Sequence, residues 1–224
     1  MRLLDLFCGG GGAGMGYHRA GFEVVGVDCK PQKNYPFEFH QADAFAYLEQ
    51  HGHEFDVIHA SPPCQAYSFS TAQKDKHPDY IPFLRPMLQG MGKPYVIENV
   101  LGAPLHFPIT FCATMFGLPP SIQGWYLRRH RLFESPLLVL GPGGCSCDQV
   151  ITAQVTGHLH KTGQSGMRHR KPGRECAKTM MGIDWMTTKE LTESIPPAYT
   201  EWIGRQLQAV ALSTWRLLRP KGER

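Results

Sequence analysis

Four consecutive glycines, Gly9 to Gly12, follow directly on the apolar run Arg2 to Phe7 and lead through Ala13-Gly14 into a segment of helical character. A strand, a glycine-rich turn and a helix in that order form the context in which a backbone comes close to a nucleotide-like ligand, because glycine removes the side chain that would block the approach. A carboxylate, Asp28, ends the next strand-like run about twenty residues on, where it can accept hydrogen bonds from a ribose diol. The spacing is that of a Rossmann-type site. It does not separate a nicotinamide cofactor from S-adenosylmethionine.

The rest of the first half continues the pattern. Short β-branched or apolar runs, Arg2 to Phe7, Glu23 to Asp28, Phe37 to His40, Phe55 to Ala60 and Tyr95 to Val100, alternate with mixed segments that predict helices near Gly12 to Ala20, Asp43 to Gln50 and Tyr80 to Gly92. Such alternation predicts a parallel α/β sheet. From Leu105 to Leu140 prolines and glycines become frequent, which predicts loops and a few antiparallel strands. After Pro196 and Pro197, apolar residues at Ile203, Leu207, Val210, Ala211 and Leu218 recur at helical spacing, so a closing amphipathic helix is expected.

Composition narrows the class further. With 224 residues, 42% hydrophobic and 19% charged, the chain can bury one good core, which excludes an intrinsically disordered protein. No apolar run approaches the ~20 residues that span a bilayer, and no cationic segment, apolar stretch and cleavage site precede the first strand, so an intracellular location without a membrane is expected. Seven irregularly spaced cysteines argue for reduced thiols. The net charge of +4 is compatible with a polyanionic partner, and its distribution is more telling. Gly141 to Lys178 holds Lys161, Arg168, Arg170, Lys171, Arg174 and Lys178 against only Asp148 and Glu175, with His158, His160 and His169 interleaved, and it reads as an exposed basic insert.

The decisive segment is Ser61-Pro62-Pro63-Cys64-Gln65, which follows the fourth strand and therefore lies at the carboxyl edge of the sheet. Two prolines fix the backbone ahead of a cysteine, and Glu98-Asn99-Val100 ends the fifth strand, so a nucleophile and a carboxylic acid can meet over one substrate.

Taken together, FCGGGGAG at Phe7 to Gly14, VGVD, QAD at Gln41 to Asp43, SPPCQ, ENV, CATMFGL at Cys112 to Leu118, RRHRLF at Arg128 to Phe133, GRECAKTMMGI at Gly173 to Ile183 and SIPPAY at Ser194 to Tyr199 resemble the DNA (cytosine-5) methyltransferase family of the compact phage and bacterial type. The resemblance runs over nearly the whole chain in the right order. It implies a Rossmann-like S-adenosylmethionine-dependent methyltransferase fold, with a catalytic and cofactor-binding domain over 1–133, a small irregular target-recognition region over 134–172, and a C-terminal segment, 173–224, that returns to the catalytic domain.

The resemblance also implies roles. Cys64 is the nucleophile that adds to carbon 6 of a flipped-out cytosine, Glu98 meets ring nitrogen 3, and Arg129 and Arg131 bind the base's carbonyl or the adjoining phosphate. Phe7, Gly9 and Gly11 line the methionine end of the cofactor, Asp28 holds its ribose, Asp43 meets the adenine amino group, and Pro62 belongs to the same site. Gln65, Ser68, Asn99, Lys161, Arg168, Arg170 and Lys171 contact double-stranded DNA. The implied protein is a cytoplasmic monomer of a bacterial cell or phage-infected host, in restriction-modification or phage self-protection. Three departures stand out: Leu127 where many members have glutamine, Asp28 for a more usual glutamate, and Glu193-Ser194 for asparagine-alanine. Cys145-Ser146-Cys147, with Cys176 and the nearby histidines, fits no common zinc finger, and the expectation is free thiols and no metal. The alternatives are an RNA cytosine-5 methyltransferase, a catalytically silent DNA-binding protein, and a Rossmann dehydrogenase in which the cysteine motif is incidental.

Overall fold

A computed structural model describes residues 1–157, 159 and 171–218, with side chains through 210. Its centre is a seven-stranded sheet in the order β3-β2-β1-β4-β5-β8-β6, formed by β1 (Arg2–Leu6), β2 (Glu23–Asp28), β3 (Glu38–Gln41), β4 (Val57–Ala60), β5 (Tyr95–Asn99), β6 (Ile109–Phe111) and β8 (Arg131–Glu134). The pairs among β1 to β5 are parallel, and β8 runs antiparallel to both β5 and β6. Two short strands, β7 (Tyr126–Leu127) and β9 (Thr152–Ala153), pair in parallel outside the sheet.

The sheet is covered on both faces, as parallel sheets require. Successive strand residues point to opposite sides, and the core divides accordingly. Leu3, Val24, Val57 and Val96 belong to one buried cluster, while Leu4, Val25, Ile58 and Ile97 belong to the other. On the first face, α1 (Gly12–Arg19) packs against α6 (Pro197–Leu218) at a distance only glycine permits: a Cβ on Gly204 would stand 2.8 Å from that of Ala20, and one on Gly16 would collide with Pro197 O and Thr200 Oγ1. On the second, α2 (Ala44–His51) and α3 (Ile81–Gly90) contribute Leu48, Ile81, Leu84 and Leu88.

Sequence and structure agree to within a residue or two on β1, β2, β3, β5, α1 and α3. The fourth strand starts at Val57 rather than Phe55, since Asp56 turns its carboxylate to Arg2 N at 2.8 Å. Asp43 lies just outside α2 as its cap, accepting from Phe45 N and Ala46 N at 3.0 Å. Two helices go beyond the sequence expectation, α4 (Arg174–Met181) and α5 (Thr188–Glu193), and the second opens with a capping box between Thr187 and Glu190. Glu134, expected to begin the recognition region, is the buried end of β8 and pairs with Arg85 at 2.8 Å. His158, His160, Lys161, Arg168, His169 and Arg170 of the basic insert lie outside the described residues, as does the side chain of Leu218.

Candidate active site

The strand order reverses between β1 and β4, and open α/β sheets bind ligands at the carboxyl ends of the strands flanking that switch point. The glycine loop leaves β1 there, and the Ser61 to Gln65 loop leaves β4 beside it. In the first, Phe7 (φ 57°), Gly9 (φ 49°) and Gly11 (φ 85°) all take left-handed backbone, and Gly9 N donates to Asp28 Oδ2 at 3.1 Å, so the ends of β1 and β2 are tied together. Lys30 N donates to the other oxygen, Asp28 Oδ1, at 2.9 Å. The space beside Gly9 is open, with no atom within 4 Å of where a Cβ would be. Phe7 lies against Tyr80, with ring centroids 6.1 Å apart, and meets Phe45 edge-on at 6.0 Å. Phe45, Pro78, Asp79, Tyr80 and Phe83 enclose an apolar depression of about 470 Å³. Both capping bonds of Asp43 end on Oδ1, which leaves Oδ2 for another donor.

In the second loop Cys64 is half-buried, and its carbonyl accepts from Tyr67 N and Ser68 N, which turns the chain sharply after the nucleophile. Burial pushes the Cys64 thiol up, the Glu98 charge adds to this, and Arg131 and Arg129 oppose it. Glu98 is itself buried at the end of β5. Burial raises its carboxyl above the usual range, against the pull of Arg131 and then Arg129. Arg131 Nε stands 3.1 Å from Glu98 Oε1 in an ion pair, yet that oxygen has no hydrogen-bond partner among the described residues. A buried carboxyl oxygen held by an ion pair without an aligned hydrogen bond has capacity left for a ligand. Arg129 is engaged differently: it donates to Val155 O at 2.7 Å and Thr192 O at 2.9 Å, and burial brings its guanidinium down to about 9. Arg129 thus ties two main-chain segments together, because a guanidinium this deeply buried needs carbonyl acceptors.

Beneath the switch point lies a polar layer absent from the sequence expectation. His59 on β4 sits opposite Asp5 on β1, both fully buried. Tyr17 Oη is 3.1 Å from His59 Nδ1, and His59 Nε2 is 2.8 Å from Ser61 Oγ. A hydrogen bond from Ser61 in turn lowers Glu98. These contacts form a continuous hydrogen-bonded chain from Tyr17 through His59 and Ser61 to Glu98. Burial holds His59 neutral, with its pKa at about 3, and raises Asp5 to about 7. The chain's only textual sign of this layer is two polar residues inside apolar strands.

The expected DNA contacts divide. Gln65 is exposed and Ser68 half-exposed on the loop after Cys64. Asn99 is 1% exposed and donates from Nδ2 to Pro62 O at 2.9 Å, fastening the end of β5 to the nucleophile loop. Lys171 is half-buried, close to Gly157, while Lys161, Arg168 and Arg170 lie outside the described residues. The C-terminal segment returns to the glycine loop, where Trp185 Nε1 donates to Gly10 O at 2.8 Å.

Residues 1–81, which carry the glycine loop, Asp28, Asp43 and Cys64, match the family described as C-5 cytosine-specific DNA methylase. The first 81 residues are thus similar to the C-5 cytosine-specific DNA methylases. The Type II methyltransferase M.AgeI of Thalassovita gelatinovora is 26% identical to this chain over 121 residues, 46% of this chain and 28% of that protein. The chain thus spans less than a third of the curated relatives' length. A DNA modification methyltransferase encoded within an E. coli prophage shares the fold with a TM-score of 0.63 at 15% identity, over 95% of this chain and 99% of that one. Spodoptera frugiperda DNMT2 does so at 0.58 and 12%, over 94% and 99%.

Proposed function

We propose that the protein methylates carbon 5 of cytosine in double-stranded DNA, with S-adenosylmethionine as methyl donor and Cys64 as covalent nucleophile. The observation that carries this reading is the meeting, at one edge of the sheet, of a half-buried cysteine and a buried carboxyl, Glu98, ion-paired to Arg131. The cofactor, when bound, supplies an electrophilic methyl group. The residues present fit it: open space at Gly9, Asp28 at the end of β2, Asp43 Oδ2 and the aromatic depression at Phe45 and Tyr80 provide an approach, a ribose acceptor, an adenine acceptor and an apolar wall.

Cys64 Sγ, having lost its proton, forms a bond to carbon 6 of the flipped base. Glu98, whose burial favours the protonated form, gives a proton to ring nitrogen 3 and so offsets the charge that develops on the ring. Arg131 lies where it can hold the base's carbonyl, and Arg129, through its two carbonyl bonds, positions Arg131. Once the methyl group is on carbon 5, a base or water removes the carbon 5 proton and Cys64 leaves. Gln65, Ser68 and the basic residues Lys161, Arg168, Arg170 and Lys171 are the proposed DNA contacts, and residues 134–172 the proposed recognition region. A monomer acting in the cytoplasm of a bacterium or phage-infected host completes the reading. No helix among the described residues is long and apolar enough to cross a membrane.

Tritiated S-adenosylmethionine offered with separate DNA and RNA pools tests the proposal. Label in DNA is expected; label in RNA alone makes RNA the substrate, and label in neither refutes methyl transfer. With 5-fluorocytosine DNA the wild type should form a covalent adduct that Cys64→Ser lacks, since serine is a far weaker nucleophile at neutral pH. An adduct retained in that variant would show that the nucleophile lies elsewhere.

A further inference from the structure

Away from the switch point, four side chains from three separate segments converge. Cys112 directly follows β6, His130 lies between β7 and β8, and Cys145 and Cys147 stand on a turn after β8, with their ligand atoms all within 4.8 Å of one another. The sulfurs of Cys112 and Cys147 are 3.1 Å apart, and Cys145 Sγ is 3.5 Å from His130 Nε2. A zinc ion with bonds of ~2.3 Å to sulfur and ~2.0–2.1 Å to nitrogen requires tetrahedral edges of roughly 3.8 Å between sulfurs and roughly 3.5 Å between sulfur and nitrogen. The described distances bracket those edges. The Cys112 to Cys147 separation is also far longer than a disulfide, ~2.05 Å.

We propose that Cys112, His130, Cys145 and Cys147 bind one zinc ion in a closed, structural site. Three thiolates and an imidazole in a near-tetrahedral group suit zinc, and four protein ligands leave no position open for substrate or water. The surrounding donors complete the site as outer partners of thiolate ligands do. Thr114 Oγ1 donates to Cys112 Sγ at 3.6 Å and lies 3.5 Å from Cys145 Sγ, Cys147 N donates to Cys145 Sγ at 3.5 Å, and Ser146 N donates to Thr114 Oγ1 at 3.2 Å. Binding releases the thiol protons and leaves the loaded site with a net single negative charge. The proposed site departs from the expectation of free thiols and no metal, and its members besides Cys145 and Cys147 are Cys112 and His130 rather than Cys176. Its sequence spacing resembles no finger because the first two ligands are contributed by the fold rather than by a local loop.

The position of the site gives it a task. His130 is flanked by Arg129 and Arg131, its carbonyl accepts from Arg131 Nη1 at 2.8 Å, and Tyr199 Oη donates to Arg129 O at 2.5 Å. Zinc therefore fixes the main chain that carries both arginines and fastens the turn at 145–147 to the end of β6. This second point rests on the proposed function, but metal binding does not.

The full chain, expressed in zinc-supplemented medium and desalted, should contain close to one equivalent of zinc by plasma mass spectrometry. Cobalt(II) added to metal-stripped protein should give the intense visible bands of tetrahedral thiolate ligation. Cys145→Ser should lose the metal, Cys176→Ser should keep it, and Thr114→Val should bind at least ~10-fold more weakly in competition with a chromophoric chelator. Should Cys145→Ser fail to fold, the wild-type stoichiometry and the cobalt spectrum still decide. Substoichiometric zinc, zinc retained in Cys145→Ser, or a Cys112–Cys147 disulfide on non-reducing peptide mapping would each overturn the site. Stoichiometric zinc in a protein that methylates nothing would leave the site standing and refute only the reading of the reaction.

Discussion

Asp5 and His59, paired across β1 and β4, should impose opposite pH dependences on stability, and removing either should expose the other. Burial raises Asp5 from 3.8 to about 7, so the folded state binds its proton over a range where the unfolded chain has released it. Its stabilising contribution is complete below pH 3.8 and disappears as pH rises through about 7. His59 behaves in reverse: burial lowers it from 6.5 to about 3, so its contribution is complete above 6.5 and disappears as pH falls through about 3. Each group spans roughly three pH units or slightly more, and one unit is worth about 1.36 kcal/mol. The two contributions are therefore each at most roughly 4–5 kcal/mol, and between pH 4 and 6.5 they cancel. Asp5→Asn keeps an acceptor for Tyr35 but cannot ionise, so its stability relative to wild type should rise by up to roughly 4 kcal/mol from pH 4 to 7. His59→Gln should show the opposite slope between pH 3 and 6.5. Urea titrations at half-unit pH intervals read both, and subtraction of the wild-type curve cancels every other titrating group. A difference curve for Asp5→Asn that stays flat across pH 4 to 7 would refute the argument, because it would mean that Asp5 ionises freely in the folded state.

Asn99→Ala should lower stability by about 1–3 kcal/mol, the cost of leaving Pro62 O unsatisfied, with little change in DNA affinity; a large loss of affinity at unchanged stability would return Asn99 to the DNA surface. Asp28→Ala should weaken S-adenosylmethionine binding by roughly 1.5–3 kcal/mol in calorimetry, with a smaller effect on DNA. Arg85→Met should destabilise the fold by about 3–5 kcal/mol in urea, since Glu134 stays buried without its partner, and a value under 1 kcal/mol would show the pair to be hydrated. Because about forty residues between Glu134 and Pro172 can present few base contacts, each worth ~1–3 kcal/mol, bisulfite sequencing of DNA from an expressing host should show a target of about two to four base pairs. A strict motif of six or more would contradict this.

The parallel sheet was readable because its strands are continuous apolar runs separated by glycine-rich and helical segments. Cys64 and Glu98 were readable because both sit where such runs end, at the one edge of the sheet where chemistry collects. Asn99 follows Glu98 in sequence, and only the packing shows that its amide is bonded to Pro62 O of the nucleophile loop. The Asp5 and His59 layer depends on register, which no single strand records. Cys112 and His130 come together with Cys145 and Cys147 only through the pairing of β6 with β8 and the turn that follows. The Thr187 to Glu190 capping box was a local signal in plain view, and it identifies α5 without any tertiary information.

The contact between α1 and α6 governs the order of events during synthesis. Gly10, Gly12 and Gly16 complete their surroundings only when residues 185–200 reach them, as the Trp185 bond to Gly10 and the Thr200 bond to Ala13 O show. Contacts this distant along the chain form late, after the cost of closing a very long loop has been met. A nascent chain can therefore assemble β1 to β5 while the glycine loop still lacks the wall that shapes it, so competence to hold a nucleotide-like ligand arrives at the end of folding.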